Sequence, residues 1–210
     1  MGRYLGPVCR FCRREGMKLY LKGNRCFSPR CAMEEGRRPD PPGDKHFGRK
    51  TASDYKVQLR EKQKAKRIYG LGERQFSNYF KKASAKSGVT GELLLQYLER
   101  RMDNVVYRMG FATSRSHARQ LVRHGHFLLD GKRVNIPSQL LKAGDIVSVR
   151  ENKRKKGPFQ EIQNLSPDEV HYPWLAVDFK NLQGTFASVP RQDELDQQIQ
   201  AHLIVEFYSR

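Results

Sequence analysis

Residues 108–149 read RMGFATSRSHARQLVRHGHFLLDGKRVNIPSQLLKAGDIVSV. Arg115, Arg119 and Arg123 recur every fourth residue, so on a helix they share one arc of surface. Ala118, Leu121 and Val122 fall on the opposite arc and form a face suited to burial. Ser114 is placed to cap the start, and Gly125 to supply the left-handed residue that ends the helix. Two short runs follow, HFLL and KRVNI, joined by Asp130-Gly131, a strong signal for a tight hairpin. The stretch therefore reads as a stiff helix–hairpin unit, basic on one side. It offers cations to a phosphate backbone and contains no obvious catalytic group. Ser114, Arg115, Arg119, Arg123, His124, His126, Lys132 and Arg133 are its candidate RNA contacts.

The segments before this unit are helical. Ser53-Asp54 offers a cap, and YKVQLREKQKAKRIYG reads as a helix ended by Gly70. Its polar face carries Lys56, Arg60, Lys62, Lys64, Lys66 and Arg67, with Glu61 as the sole acid. A solvated face is one reading; the scarcity of acids favours phosphate contact. Arg49, Lys50, Lys56, Arg60, Lys64 and Arg67 are the candidate contacts here. A second helix runs from about Glu73 to Lys86, with Phe76, Tyr79, Phe80 and Ala83 as its buried stripe. These aromatics are spaced for a core and not for stacking on bases. A third starts near Gly91 and carries Leu94, Leu95, Leu98, Met102, Val105, Val106 and Met109 at helical spacing, with a fresh start at Asp103.

After Val149, ENKRKKGPF reads as a charged loop and Gln160–Leu165 as a short helix broken by Ser166-Pro167. Trp174–Asp178 and Gly184–Val189 read as strands. In IQAHLIVEFYSR, Ile199, Leu203, Ile204, Phe207 and Tyr208 keep helical spacing, which implies a terminal helix docked on the first helices.

At the N-terminus, Cys9 and Cys12 form one close pair, and Cys26 and Cys31 a looser one. Two pairs of thiols with a turn-rich spacer fit tetrahedral metal binding, each pair carried on a short loop that bends back. Zinc is the first expectation and an iron–sulfur cluster the alternative; two disulfides come third. Four thiolates leave no open position for catalysis. The basic strap EEGRRPDPPGDKHFGRKTA follows, extended by its prolines and ordered on a partner.

The chain has 210 residues, 38% hydrophobic and 30% charged. Forty Lys and Arg against 22 Asp and Glu give a net charge of +18, spread along the whole chain. Such a field steers polyanions to the surface. Nucleic acid is the leading partner class, ahead of an anionic membrane surface and of a mere solubility surplus. No apolar run approaches membrane-spanning length, and MGRYLGPVCR lacks the core of a signal peptide. A cytoplasmic, reducing compartment is expected. No histidine–nucleophile order, Gly-rich phosphate loop or carboxylate pair stands out, so no enzyme is read here.

The helix–hairpin unit resembles the small RNA-binding module named after ribosomal protein S-four. That module also occurs in pseudouridine synthases, tyrosyl-tRNA synthetases and heat-shock RNA-binding proteins. The chain as a whole resembles the bacterial small-subunit ribosomal protein S-four family, cysteine-containing type. MGRYLGPVCR, PPG, SDYKVQLREKQKAKRIYG, RMDNVVYRMGFATSRSHARQLVRHGH, VNIPS, PWLAVD and LIVEFYSR carry the resemblance in the family's order. The match departs at Asp44–Gly48 and is weak over residues 153–172.

The resemblance implies a structural protein of the small ribosomal subunit that binds its RNA early in assembly, at a helical junction in the 5′ domain. It further implies a place near the messenger entry channel, an influence on decoding accuracy, and neighbours that include ribosomal protein S-five and messenger RNA. Repression of its own messenger occurs in some members. The implied fold is α+β: a helical domain of residues 47–92 with 191–210, an RNA-binding α+β domain with an antiparallel sheet over 93–190, and a four-cysteine metal-bound segment with its strap over 1–46. Two other classes remain: a free RNA chaperone with the same module, or an accessory domain of an RNA-modifying enzyme.

Overall fold

The computed structural model describes residues 4–37, 39–43, 53–154, 158–162 and 172–210. Arg49 and Lys50, residues 44–48 and the expected helix end at Leu165 lie outside the described residues. The chain divides into two compact units, Met1–Leu94 with Asp196–Arg210, and Leu95–Leu195.

The first unit is helical. Helix α1 spans Cys9–Glu15, α2 Asp54–Ile68, α3 Glu73–Ser84, and α4 (Thr90–Glu99) begins in it. The Ser53 hydroxyl accepts the Lys56 N–H at 3.4 Å and caps α2, as its sequence suggests. Gly70 adopts a left-handed φ of 62° beyond the helix end. Ala65, Ile68, Phe76, Tyr79 and Ala83 supply the core. The C-terminal helix (Ala201–Tyr208) packs along α2 and buries Ile204 completely. Glu61 Oε1 accepts the Gln200 N–H at 2.7 Å at the start of that helix, and Gln58 Nε2 donates to Glu206 at 2.8 Å.

Two expectations for the N-terminal block need correction. Cys9 and Cys12 sit on α1, one helical turn apart, and not on a bent loop. The strap over 39–43 is tied back to that helix: Arg13 Nε and Arg14 Nη2 donate to the carbonyls of Asp40 and Pro42, each at 2.8 Å. Proline leaves those carbonyls without helical or strand partners, and the nearby guanidiniums satisfy them.

The second unit is α+β. Helices α5 (Met102–Arg108) and α6 (Arg115–Arg123) precede strands β1 (Phe127–Leu129), β2 (Lys132–Val134) and β3 (Ile146–Val149). Two short helices, α7 (Glu151–Arg154) and α8 (Pro158–Ile162), lead to β4 (Leu175–Asp178) and β5 (Gln183–Phe186). The terminal helix is therefore α9. The strands form an antiparallel sheet in the order β2-β1-β3-β5-β4.

Asp130 and Gly131 both take left-handed φ, 49° and 76°, which matches the two-residue turn that joins β1 to β2. Asp130 also closes on the next strand, because its carboxylate accepts the Ile146 N–H at 2.9 Å. The second hairpin strand stops at Val134, short of the expected KRVNI. Likewise β5 stops at Phe186. Central β3 has no clear mark in the sequence, since IVSV is too short to show a period.

Ala118, Leu121 and Val122 of α6 are buried as their spacing requires, against a core that includes Met102, Val106, Phe111, Phe127, Val147, Trp174 and Phe186. Each large side chain so buried stabilises the unit by about 1.5–3 kcal/mol. Gly184 lets β5 pass under Met109, where a Cβ would lie 2.6 Å from its sulfur.

Candidate nucleic-acid interface

The arginines of α6 are built into a polar network rather than left free. Ser114 caps α6 by accepting the His117 N–H at 3.2 Å. Arg115 Nε donates to Asn104 Oδ1 at 2.8 Å, and its guanidinium lies 4.7 Å from the Tyr107 ring centroid. Arg119 Nη1 meets Asp103 Oδ2 at 3.0 Å. The same carboxylate takes both nitrogens of the fully buried Arg101, at 3.0 and 2.7 Å. Asn104 is held in turn by Glu99, whose carboxylate also binds Arg108 at 3.1 and 2.8 Å. Arg108 then stacks 4.6 Å over Tyr172 and hydrogen-bonds its hydroxyl.

Two carboxylates thus serve four guanidiniums, and the network keeps an excess of positive charge. Arg123, His124, Lys132 and Arg133 are exposed beside it. The expected free row of three arginines is therefore corrected. Arg115 and Arg119 are anchored at their inner side, and only Arg123 stands clear in solvent. Ser114 is corrected as well: it is buried and spends its oxygen on the cap.

Gly125 ends α6 with φ 68°, and the Arg133 guanidinium lies against it, 2.5 Å from where a Cβ would stand. Arg150 Nη1 donates to the Gly125 carbonyl at 3.3 Å. Among the described residues the Nδ1 of His126 is buried without a hydrogen-bond partner. Burial, then Lys153, His124 and Arg150, hold His126 below the usual histidine range. It is therefore a neutral ring at physiological pH and not a cation for phosphate.

In the first unit the basic face of α2 is largely internal. Glu15 of α1, 4% exposed at its side chain, pairs with both Arg60 and Arg67. Arg67 also lies 4.4 Å over the Phe11 ring. Lys64 is buried and meets Glu61 at 2.8 Å. Lys62 and Lys66 share Glu73 at 2.6 and 2.7 Å. Lys56 alone of the four described α2 candidates is exposed. The expectation of an open phosphate face fails because its neutralising acids come from α1 and α3, far away in sequence. Lys56, Arg60 and Lys64 still line one cavity, opposite Glu15 and Met17.

All four cysteines are free thiols, and Cys12, Cys26 and Cys31 are buried. Together with Cys9 they line one small cavity with Val8, Leu21, Ala32 and Met33. The Lys22 N–H donates to Cys26 Sγ at 3.3 Å. Burial pushes the Cys12 thiol up, and the other three cysteines add to the rise. Among the described residues no three His, Cys, Asp or Glu side chains are drawn together as a ligand set.

One exposed group escaped the sequence reading. Phe27 is 74% exposed and stacks on Tyr20. Its lone position among cysteines and arginines carries no periodic signal.

The family model described as the ribosomal protein S4/S9 N-terminal domain matches residues 3–99, and that of the S4 domain residues 100–147. The chain is 54% identical over 210 residues to small ribosomal subunit protein uS4A of Symbiobacterium thermophilum, covering all of both chains. It is 52% identical over 210 residues to protein uS4 of Pelotomaculum thermopropionicum and 53% over 213 residues to that of Thermus thermophilus, again over all of both. Among the described residues no helix is long and apolar enough to cross a membrane.

Proposed function

This chain belongs to the uS4 family of small ribosomal subunit proteins, and from that premise we propose how its residues serve the subunit. It is a structural protein that binds small-subunit ribosomal RNA, and it is not an enzyme. In our reading it acts in the cytoplasm and joins the subunit early. It grips a helical junction of the 5′ domain, beside protein S-five and the messenger entry channel, where it influences decoding accuracy. The observation that carries the RNA reading is the anchored arginine network of α5 and α6. Buried Asp103 and Asn104 orient Arg119 and Arg115 before RNA arrives, so less side-chain entropy is lost on binding. Arg123, Lys132, Arg133 and Lys56 add exposed charge around phosphates that converge at a junction.

Binding of the whole protein to a folded 5′-domain fragment, across a salt series, tests this. The log–log slope should steepen by about 0.7–0.9 per phosphate neutralised. R123Q should remove about one such contact while leaving the melting temperature unchanged. A flat salt response, or equal affinity for a linear duplex, would count against the reading.

We further infer that Cys9, Cys12, Cys26 and Cys31 hold a structural zinc ion, with an iron–sulfur cluster as the alternative. Four soft sulfur donors around one cavity fit either group, and the backbone N–H on Cys26 is the kind of partner that steadies a thiolate. A cation there would relieve the repulsion among buried thiolates, and it would cross-link a segment with little apolar core.

A further inference from the structure

We propose that Phe27 and Tyr20 form a platform on which an unpaired nucleobase of the bound RNA stacks, an inference that rests on the RNA-binding reading above. The two rings lie 5.2 Å apart between centroids at an interplanar angle of 28°. Phe27 leaves most of its ring open, at 74% exposure. A lone phenylalanine so exposed costs solvation free energy that a partner's π-face would recover.

The platform is held firmly. Phe27 ends the 3-10 turn Gly23–Phe27, beside buried Cys26. The turn is closed after it: Ser28 N–H donates to the Arg25 carbonyl at 3.3 Å, and Cys31 N–H to the Ser28 carbonyl at 3.0 Å. Tyr20 sits at φ 51°, a left-handed value that a bulky aromatic seldom adopts. Such strain persists where the surrounding structure holds a side chain in one place.

Charge chooses the occupant. Lys22, Arg25 and Arg30 flank the rings and are exposed, and no acid occurs from Gly16 to Met33. An apolar protein partner has no need of that rim. A nucleotide uses both parts: the base stacks, and its phosphates meet the cations. Stacking tolerates any base, so the platform fits an unpaired residue in a loop or junction.

The test uses the full-length protein and the folded 5′-domain RNA fragment. F27A and F27L should each weaken binding about fivefold to a hundredfold, the range for loss of one stacked base. Their salt slopes should match the wild type, because no phosphate contact is lost. F27W should bind as the wild type does, and its new emission should be quenched by RNA; Trp174, 1% exposed, supplies a constant background. Wild-type affinity in F27L, or F27W emission blind to RNA, overturns the platform while leaving the RNA reading intact. So does a variant that binds RNA normally but drops out of assembled subunits, since the occupant is then a protein. A wild-type chain without salt-steep RNA affinity overturns the RNA reading itself, and the platform with it.

Discussion

Arg101 has a side chain with 0% exposure and depends on the 6% exposed carboxylate of Asp103 for its partner. A buried pair of this kind adds little net stability over an apolar one, but breaking it strands a charge. D103A should therefore destabilise the protein by about 3–5 kcal/mol, read from urea unfolding. Loss of RNA affinity should accompany it, because Arg119 hangs on the same oxygen. Glu73 offers a second residue-level test. Burial alone would raise its carboxyl, yet Lys62 and Lys66 overcome that and hold it below the usual carboxylate range. A carboxylate lowered by folding contributes stability in full above its unfolded value of about 4.3. That contribution fades as pH falls through the lower folded value. The stability gap between wild type and E73Q should thus shrink on acidification below pH ~4.3; a gap that widens would contradict the pairing.

At the scale of elements, α9 shows how a stripe is read and where the reading stops. Its helical spacing is plain in the residue order, and the helix does pack on α2. Its deepest residue is Ile204, at 0% exposure. Phe207 looks like the larger anchor but is only half-buried, against Tyr55 at 5.6 Å and beneath Lys62 at 4.6 Å. I204A should cost about 2–5 kcal/mol, the usual range for emptying a core aliphatic site. F207A should cost less despite the bigger ring, because water already reaches it. Equal or reversed losses in thermal unfolding would show that α9 docks by its outer face. The α6 helix and its hairpin are equally readable, since cap, stripe, terminal glycine and Asp-Gly turn all act within a few residues. Strand β3 is not, because its place at the sheet centre comes from partners on both sides.

At the scale of the whole molecule, the two units should respond differently to removal of metal. A strong thiol-competing chelator should open the cysteine block to protease, while emission from buried Trp174 in the second unit stays unchanged. Elemental analysis of the purified protein should find about one zinc per chain, or iron with visible absorption. A metal-free protein with a protease-resistant N-terminus would sink both. Much of this architecture is legible in residue order: helix starts and stops, the α6 stripe, the hairpin, the clustered thiols and the polycationic balance. Each depends on chemistry within about one turn of chain, or on composition alone. The fate of the α2 cations is of another kind. Arg60, Arg67, Lys62 and Lys66 look like an RNA-facing row until Glu15 and Glu73 arrive from other helices and neutralise them. Ion pairs, burial and the open face of Phe27 are properties of packing. They arise when segments distant in sequence are brought within a few ångströms, and no local pattern records which segments those are.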